Sequence, residues 1–362
     1  MKKNLPIHFT TRFIPIFIPD RKLKGLATLT FCYTLVLMEP ESATPAKKQQ
    51  TGYLYAFAAV FMLANVAILI QVLTTNYHVP ALILAFWRDF FSALILFIAL
   101  RLIQPKLLKI DRRDLGFAAM FGLALAVFNV FWTISVVQNG ASIATVLLYS
   151  SAAFTALLGW RFLHESLRLP KIVAILISLT GCTLASLAGA NFKSTGIGFA
   201  VGILAGICYA IYSLLGRSAA QRGLNPWTSS LFAFAFAAGY LLIANLLPFK
   251  FLPGQAARPA ELFMLGEQYM GWFYLFLLAL GPTVLGFGFY NNSLALLPSS
   301  VANMVLTLEP VLTALIAFFI FKERLLLSQA LGGLLVVGGV FLMRYFEGKA
   351  SLPAPGTQST DQ

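Results

Sequence analysis

The sequence sets a carboxylate beside a helix-breaking imino acid at Glu309 and Pro310, inside the otherwise apolar stretch MVLTLEPVLTALI. A second pair of ionisable side chains, Arg88 and Asp89, stands in AFWRDFFSALIL. A carboxylate in apolar surroundings can exchange a proton or meet a cation, and a guanidinium can hold a carboxylate. Pro310 cannot donate to the carbonyl of Leu306, which leaves that oxygen for a partner, an ion or a water. This is chemistry of binding and proton exchange. No catalytic residue is read from it, and no metal site: His8, His78 and His164 lie far apart, while Cys32, Cys182 and Cys208 have neither C-x-x-C nor zinc spacing. The cysteines are expected to be reduced packing residues.

The elements that must position these groups follow from composition. The chain is 59% hydrophobic and 11% charged, against roughly 25% charged for an ordinary soluble domain, so its solvent is a bilayer. Apolar runs long enough to cross a hydrocarbon core, about 20 residues of helix, fall at 54–73, 81–100, 115–137, 142–160, 170–189, 196–216, 227–247, 271–291, 301–320 and 328–346. They are continuous, whereas a membrane barrel alternates in segments of about ten residues. The fold class is therefore all-α, with ten transmembrane helices. Glu309 lies near the middle of the ninth and Arg88 in the outer half of the second.

The sequence carries 26 Lys and Arg residues for a formal net charge of +13. Most of them fall in the N-terminal tail, the C-terminal tail and the loops after the even-numbered helices, and few in the other loops. That asymmetry is the positive-inside pattern, which puts both termini in the cytoplasm. The basic excess reads as topology and not as nucleic-acid binding, because no basic segment carries interleaved stacking aromatics.

Residues 1–52 are expected to be a disordered extension. Within it, LATLTFCYTLVLM at 26–38 is too short to span a bilayer and lacks a small-residue cleavage motif. Met38 opens a polar, basic leader into the first helix, so residues 1–37 are either disordered or an over-extension of the start site. Residues 347–362, rich in Pro, Gly, Ser and Thr, are expected to be a disordered tail.

Between these ends the chain repeats. Shifted by 158 positions, ASIATVLLYSSAAFTALLGWRFLHESL from Ala141 lies over SSVANMVLTLEPVLTALIAFFIFKERL from Ser299 without a gap. Glu165 then meets Glu323 and Gly181 meets Gly339. Pro80 and Pro226 both start the second helix of their halves, where a missing N–H costs nothing. The repeats are placed at 53–190 and 196–346. Each holds five helices, an odd number, so the second copy enters the membrane from the opposite side, as in secondary transporters whose substrate site lies between the copies.

The segment NMVLTLEPVLTALIAFFIFKERL, with Pro near its middle and Glu before the last helix, resembles the ninth helix of the ten-helix EamA-type transporters of the drug/metabolite transporter superfamily. The resemblance covers about residues 53–346. It implies transport of small metabolites or amino acids, often export, through a cavity shared by the halves. One departure is that Ala152 stands where the family often has a matching proline, which would make proline-associated bending lopsided here.

A charge at the bilayer centre costs about 2.5 to 3.5 kcal/mol on the insertion scale, so Glu309 must face protein or water. It is the candidate coupling residue, with Pro310 as a helix break and Asn303 on the same side of the helix. The other reading is a protonated, hydrogen-bonded glutamate beside a structural kink. Arg88 answers Glu309 or a substrate carboxylate while Asp89 meets a helix end, unless the two form a structural interhelical ion pair; adjacent residues are about 100° apart on a helix and do not point the same way. Trp132, Tyr149, Tyr212, Tyr290 and Asn291 are the remaining candidate cavity residues, drawn from corresponding helices of both halves. Glu165 and Glu323 read as structural, pairing with neighbours such as Arg161, Arg168, Lys322 and Arg324 or favouring a helix N-terminus. Gly198, Gly202 and Gly206, with Gly332, Gly333, Gly338 and Gly339, are small-residue packing steps.

The expected function is a secondary transporter in the cell membrane, exporting a small metabolite such as an amino acid by alternating access. No enzymatic activity and no cofactor are expected, and no nucleotide hydrolysis, the last because no G-x-x-x-x-G-K-[ST] loop occurs. Its partners are the bilayer and a small-molecule substrate, with a homodimer left open and nucleic acid excluded. A membrane scaffold leaves Glu309 and the repeat unexplained, and a membrane-embedded transferase needs clustered His, Asp or Glu that the chain lacks.

Overall fold

The computed structural model describes residues 45–187, 196–247, 253–256, 258–312 and 326–350. The N-terminal residues 1–44, Glu323, the rest of the ninth apolar run and residues 351–362 lie outside it. Among the described residues there is no strand, because a backbone in hydrocarbon must satisfy its hydrogen bonds within one segment. The helices are α1 (Pro45–Leu63), α2 (Val66–Thr75), α3 (Ala81–Ile103), α4 (Arg112–Tyr149), α5 (Ser151–Leu163), α6 (Leu169–Leu187), α7 (Gly196–Gln221), α8 (Pro226–Leu246), α9 (Tyr269–Leu278), α10 (Gly286–Leu296), α11 (Ser299–Leu306) and α12 (Leu327–Ala350). Residues 45–52, assigned from sequence to a disordered extension, are the first turns of α1, and α12 runs on into the expected tail.

Among the described residues, seven helical segments are long and apolar enough to cross a membrane. One of them, Arg112–Leu163, is 52 residues long and holds the third and fourth apolar runs, which separate at Gly140 with φ 76° and ψ 164°. The chain reverses there. Phe121 stacks on Tyr212, Phe128 packs on Tyr209 and Asn139 donates to Gly198 O, so the third run is antiparallel to α7. Leu147 meets Gly202 and Ser150 meets Gly206, so the fourth is parallel to it. Within the described residues, the fifth run forms the shorter apolar helix Leu169–Ala185 and the first part of the ninth lies in Ser299–Leu312.

Helices that hold the same place in the two halves pack on one another antiparallel. Between α3 and α8, Asn245 Nδ2 donates to Leu82 O at 3.3 Å near one end and Thr228 Oγ1 to Leu107 O at 2.8 Å near the other. Between the fourth and ninth runs, Tyr149 meets Glu309, Thr155 meets Asn303 and Glu165 meets Ser299. Between α6 and α12, a Cβ on Gly332 would stand 2.5 Å from Ala185 N, and one on Gly339 2.9 Å from Ala174 O. The contacts of α1 with α10 and of α4 with α7 exchange under the same swap. Antiparallel equivalents are what an inverted repeat requires. Large exposed apolar side chains such as Phe61, Leu102, Phe162, Ile197 and Phe341 then meet hydrocarbon, in which they cost nothing.

Candidate functional site

Four spans lose regular helix geometry where the halves meet. The first breaks at Ala64 and Asn65, where Asn65 N–H reaches Met62 O at 3.4 Å and its side chain donates to Phe61 O. The fourth breaks at Ser150, whose N–H bonds Leu147 O at 3.2 Å while its hydroxyl donates to the same carbonyl at 2.6 Å. The ninth breaks at Thr307 and Leu308, with Leu308 N–H on Val305 O at 3.1 Å and Thr307 Oγ1 on Met304 O at 2.6 Å. The eighth widens into a π-helical turn over Ala279–Leu285 around Pro282, where Thr283 Oγ1 reaches back to Leu278 O at 2.8 Å. Proline, tightened i to i−3 turns and π-bulges are the recognised causes of helix breaks.

Ser150 corresponds to Leu308 under the repeat, so the fourth and ninth spans break at equivalent positions. The first copy has Ala152 in place of the proline and is nevertheless interrupted at Ser150. A serine back-bonded to the preceding turn does in the first copy what Pro310 does in the second.

A cavity of about 30 Å³ lies among these breaks. Leu63 and Val66 line it from the first span, Leu148 and Tyr149 from the fourth, Phe287 from the eighth, and Leu306 and Glu309 from the ninth; Phe128, Trp132, Tyr209 and Arg88 complete it. It admits a water but not an amino acid, and sites for small molecules span about 300 to 1,000 Å³.

Its polar groups are few and buried. Glu309, 7% exposed, accepts a hydrogen bond on Oε2 from the Tyr149 hydroxyl, a bond joining the two halves. Arg88 is 1% exposed and Asp89 fully buried. Arg88 curls back so that Nε lies 3.6 Å from Asp89 Oδ1, an ion pair beyond hydrogen-bond reach. Adjacent residues thus approach despite their angular separation, because the long arginine stem can turn. Asp89 does not meet a helix end: both its oxygens accept from Asn129 Nδ2, at 2.8 and 2.7 Å. Burying this pair forfeits several kcal/mol of hydration per ion, offset in part by the Asn129 bonds.

The EamA-like transporter family matches this chain twice, over residues 50–187 and 196–345. The chain belongs to that family. An uncharacterized transporter of Archaeoglobus fulgidus is 24% identical over 292 residues, spanning 80% of this chain and 96% of its own length. The uncharacterized transporter YetK of Bacillus subtilis is 22% identical, over 82% of this chain and 87% of its own. A crystal structure at 17% identity superposes with a TM-score of 0.63, covering 84% of this chain and 99% of that one, a likeness of fold alone. This EamA-like chain is thus a multi-pass membrane transporter.

In this transporter Arg88, Trp132, Tyr149 and Glu309 line the cavity, while Tyr212, Tyr290 and Asn291 do not. Those three are packed into a hydrogen-bonded layer beneath it. Asn291 Nδ2 donates to Tyr212 OH at 2.8 Å and Ser230 Oγ at 2.9 Å, and the Tyr290 hydroxyl lies 2.7 Å from Ser213 Oγ. Asn303 extends the layer between halves, donating to Thr155 Oγ1 at 2.9 Å and accepting from Ser151 Oγ at 3.1 Å.

A second layer lies at the helix ends beyond. Glu165 takes the N-terminus of α11, accepting from Ser299 N at 2.6 Å and from both Ser299 and Ser300 hydroxyls. Among the described residues it pairs with Lys171 at 3.9 Å, and no ion pair with Arg161 or Arg168 is found. Arg217 donates to Leu294 O at 2.8 Å and Ala295 O at 2.9 Å, closing the end of α10. Sequence reasoning missed Phe128, Phe287 and Arg217. The two phenylalanines carry no signal in all-apolar helices, whereas Arg217, a charge near the end of a long apolar run, could have been found.

Proposed function

We propose that this transporter is a secondary, non-ATP carrier of the plasma membrane that exports a small metabolite such as an amino acid by alternating access between its inverted halves, residues 53–190 and 196–346. Both termini are cytoplasmic in this reading, which the distribution of Lys and Arg supports. The observation that carries it is the convergence of four interrupted spans on one cavity holding Glu309 and Arg88. Irregular backbone at membrane depth is tolerated where it lines a cavity, and broken helices flanking a midplane site are how secondary carriers expose it to each side in turn. A cavity of about 30 Å³ must widen to admit a metabolite, and the breaks supply the joints.

Glu309 is the coupling residue in this reading. The test is an untargeted comparison of small molecules inside and outside cells carrying the wild type, Glu309→Gln or an empty vector. A compound displaced only by the wild type supports the proposal; identical profiles in all three overturn it. pH-gradient-driven transport that survives Glu309→Gln in proteoliposomes removes Glu309 from coupling.

A further inference from the structure

Arg88 is 1% exposed, yet its Nε and Nη2 have no hydrogen-bond partner among the described residues. Those two nitrogens form one edge of the guanidinium, a planar pair of parallel donors spaced to meet both oxygens of a carboxylate. The obvious occupant is Asp89, and it is withheld: its oxygens are held by Asn129 Nδ2 at 2.8 and 2.7 Å, which leaves Oδ1 3.6 Å from Nε. Arg88 lines the cavity beside Phe128, Trp132 and Phe287. The arrangement balances the arginine's charge and leaves this edge without a hydrogen bond, covered while the cavity is closed.

We infer that this edge of Arg88 seats the carboxylate of the transported molecule, so that the substrate class is a small monocarboxylate with an apolar body, with or without an α-ammonium group. The body lies against the aromatic wall, and Asn129 is a positioning residue that keeps Asp89 off the donor edge. The inference rests on reading the cavity as the substrate site.

The test is thermal unfolding of the purified full chain in detergent with matched acids and primary amides: 3-phenylpropionate against its amide, 4-methylvalerate against its amide, and phenylalanine and leucine against their amides. The acids should raise the wild-type unfolding temperature and the amides should not. Arg88→Gln should abolish the difference. Arg88→Lys, which keeps the charge but not the fork, should weaken acid binding by about tenfold to a hundredfold. Asn129→Leu should weaken it similarly by releasing Asp89 onto the edge. Equal effects of acid and amide, no effect of any acid, or acid preference that survives Arg88→Gln would each overturn the inference. Should Arg88→Gln fail to fold, the wild-type pairs and Arg88→Lys decide. Displacement of compounds without a carboxylate in the cell comparison would overturn the anchor and leave transport standing; acid-selective binding without any displaced compound would do the reverse.

Discussion

Tyr149 and Glu309 make a side-chain link between the two halves, and both are buried at the cavity wall. A buried hydrogen bond to a carboxyl group contributes about 1.5 to 3 kcal/mol, and leaving one partner unmet costs more than removing both. Tyr149→Phe is therefore expected to lower stability by about 2 kcal/mol, whereas adding Glu309→Gln to it should cost much less than a second loss of that size. Thermal unfolding of the two single variants and the double variant checks this; additive effects would mean that the pair is not coupled. Glu309 and Arg88 were legible in the sequence because a charge in an apolar run is expensive and rare. Phe128 and Phe287 were not, because lipid and core are equally apolar and the pattern along a helix no longer tells which side faces in. The pairing of Asp89 with Asn129 was hidden too, since 40 residues separate them and either could have met another helix.

The helix breaks belong to the scale of elements. Pro310 announces one of them in the sequence, but its equivalent at Ser150 rests on a hydroxyl bonding back to Leu147 O at 2.6 Å, which an ordinary serine does not advertise. Ser150→Ala should let the fourth span straighten, and Pro310→Ala should restore a donor toward Leu306. Both are expected to raise thermal stability, Pro310→Ala by no more than about 3 kcal/mol, and to slow transport severalfold. Faster or unchanged export of the substrate by either variant would show that its break is not a joint. Packing of α6 on α12 gives a sharper contrast. A side chain at Gly332 would strike Ala185 N at 2.5 Å and Gly181 O at 2.6 Å, whereas nothing lies within 4 Å of a Cβ at Gly338. Gly332→Leu should cost about 1 to 3 kcal/mol or more and Gly338→Leu within about 0.5 kcal/mol, as read from the unfolding temperature. The sequence marked both glycines alike, since a small residue shows its packing role only when its neighbour is known.

At the scale of the whole molecule, the cavity is closed from one side by two layers that bridge the halves. Asn303 with Thr155 and Ser151 forms the first, and Glu165 on Ser299 and Ser300 forms the second. Glu165 comes from the loop before α6 and the serines from the start of α11, so alternating access must part them before the cavity opens toward that face. The carboxylate replaces the side-chain cap that α11 lacks of its own and sits where the helix dipole favours negative charge, together worth about 1 to 2 kcal/mol. A bond of that size biases an equilibrium by about tenfold and does not lock it. Glu165→Ala is thus expected to shift the resting population toward opening at this face by about tenfold. A cysteine placed at Leu306 in a background without native cysteines reports the shift. Its labelling by a membrane-impermeant thiol reagent should rise from the side bearing the loop between α5 and α6 and fall from the other, in inside-out and right-side-out vesicles compared. Labelling from both sides unchanged by Glu165→Ala would mean that the contact is packing alone, and that the inner hydrogen-bonded layer around Asn303 holds the halves together by itself.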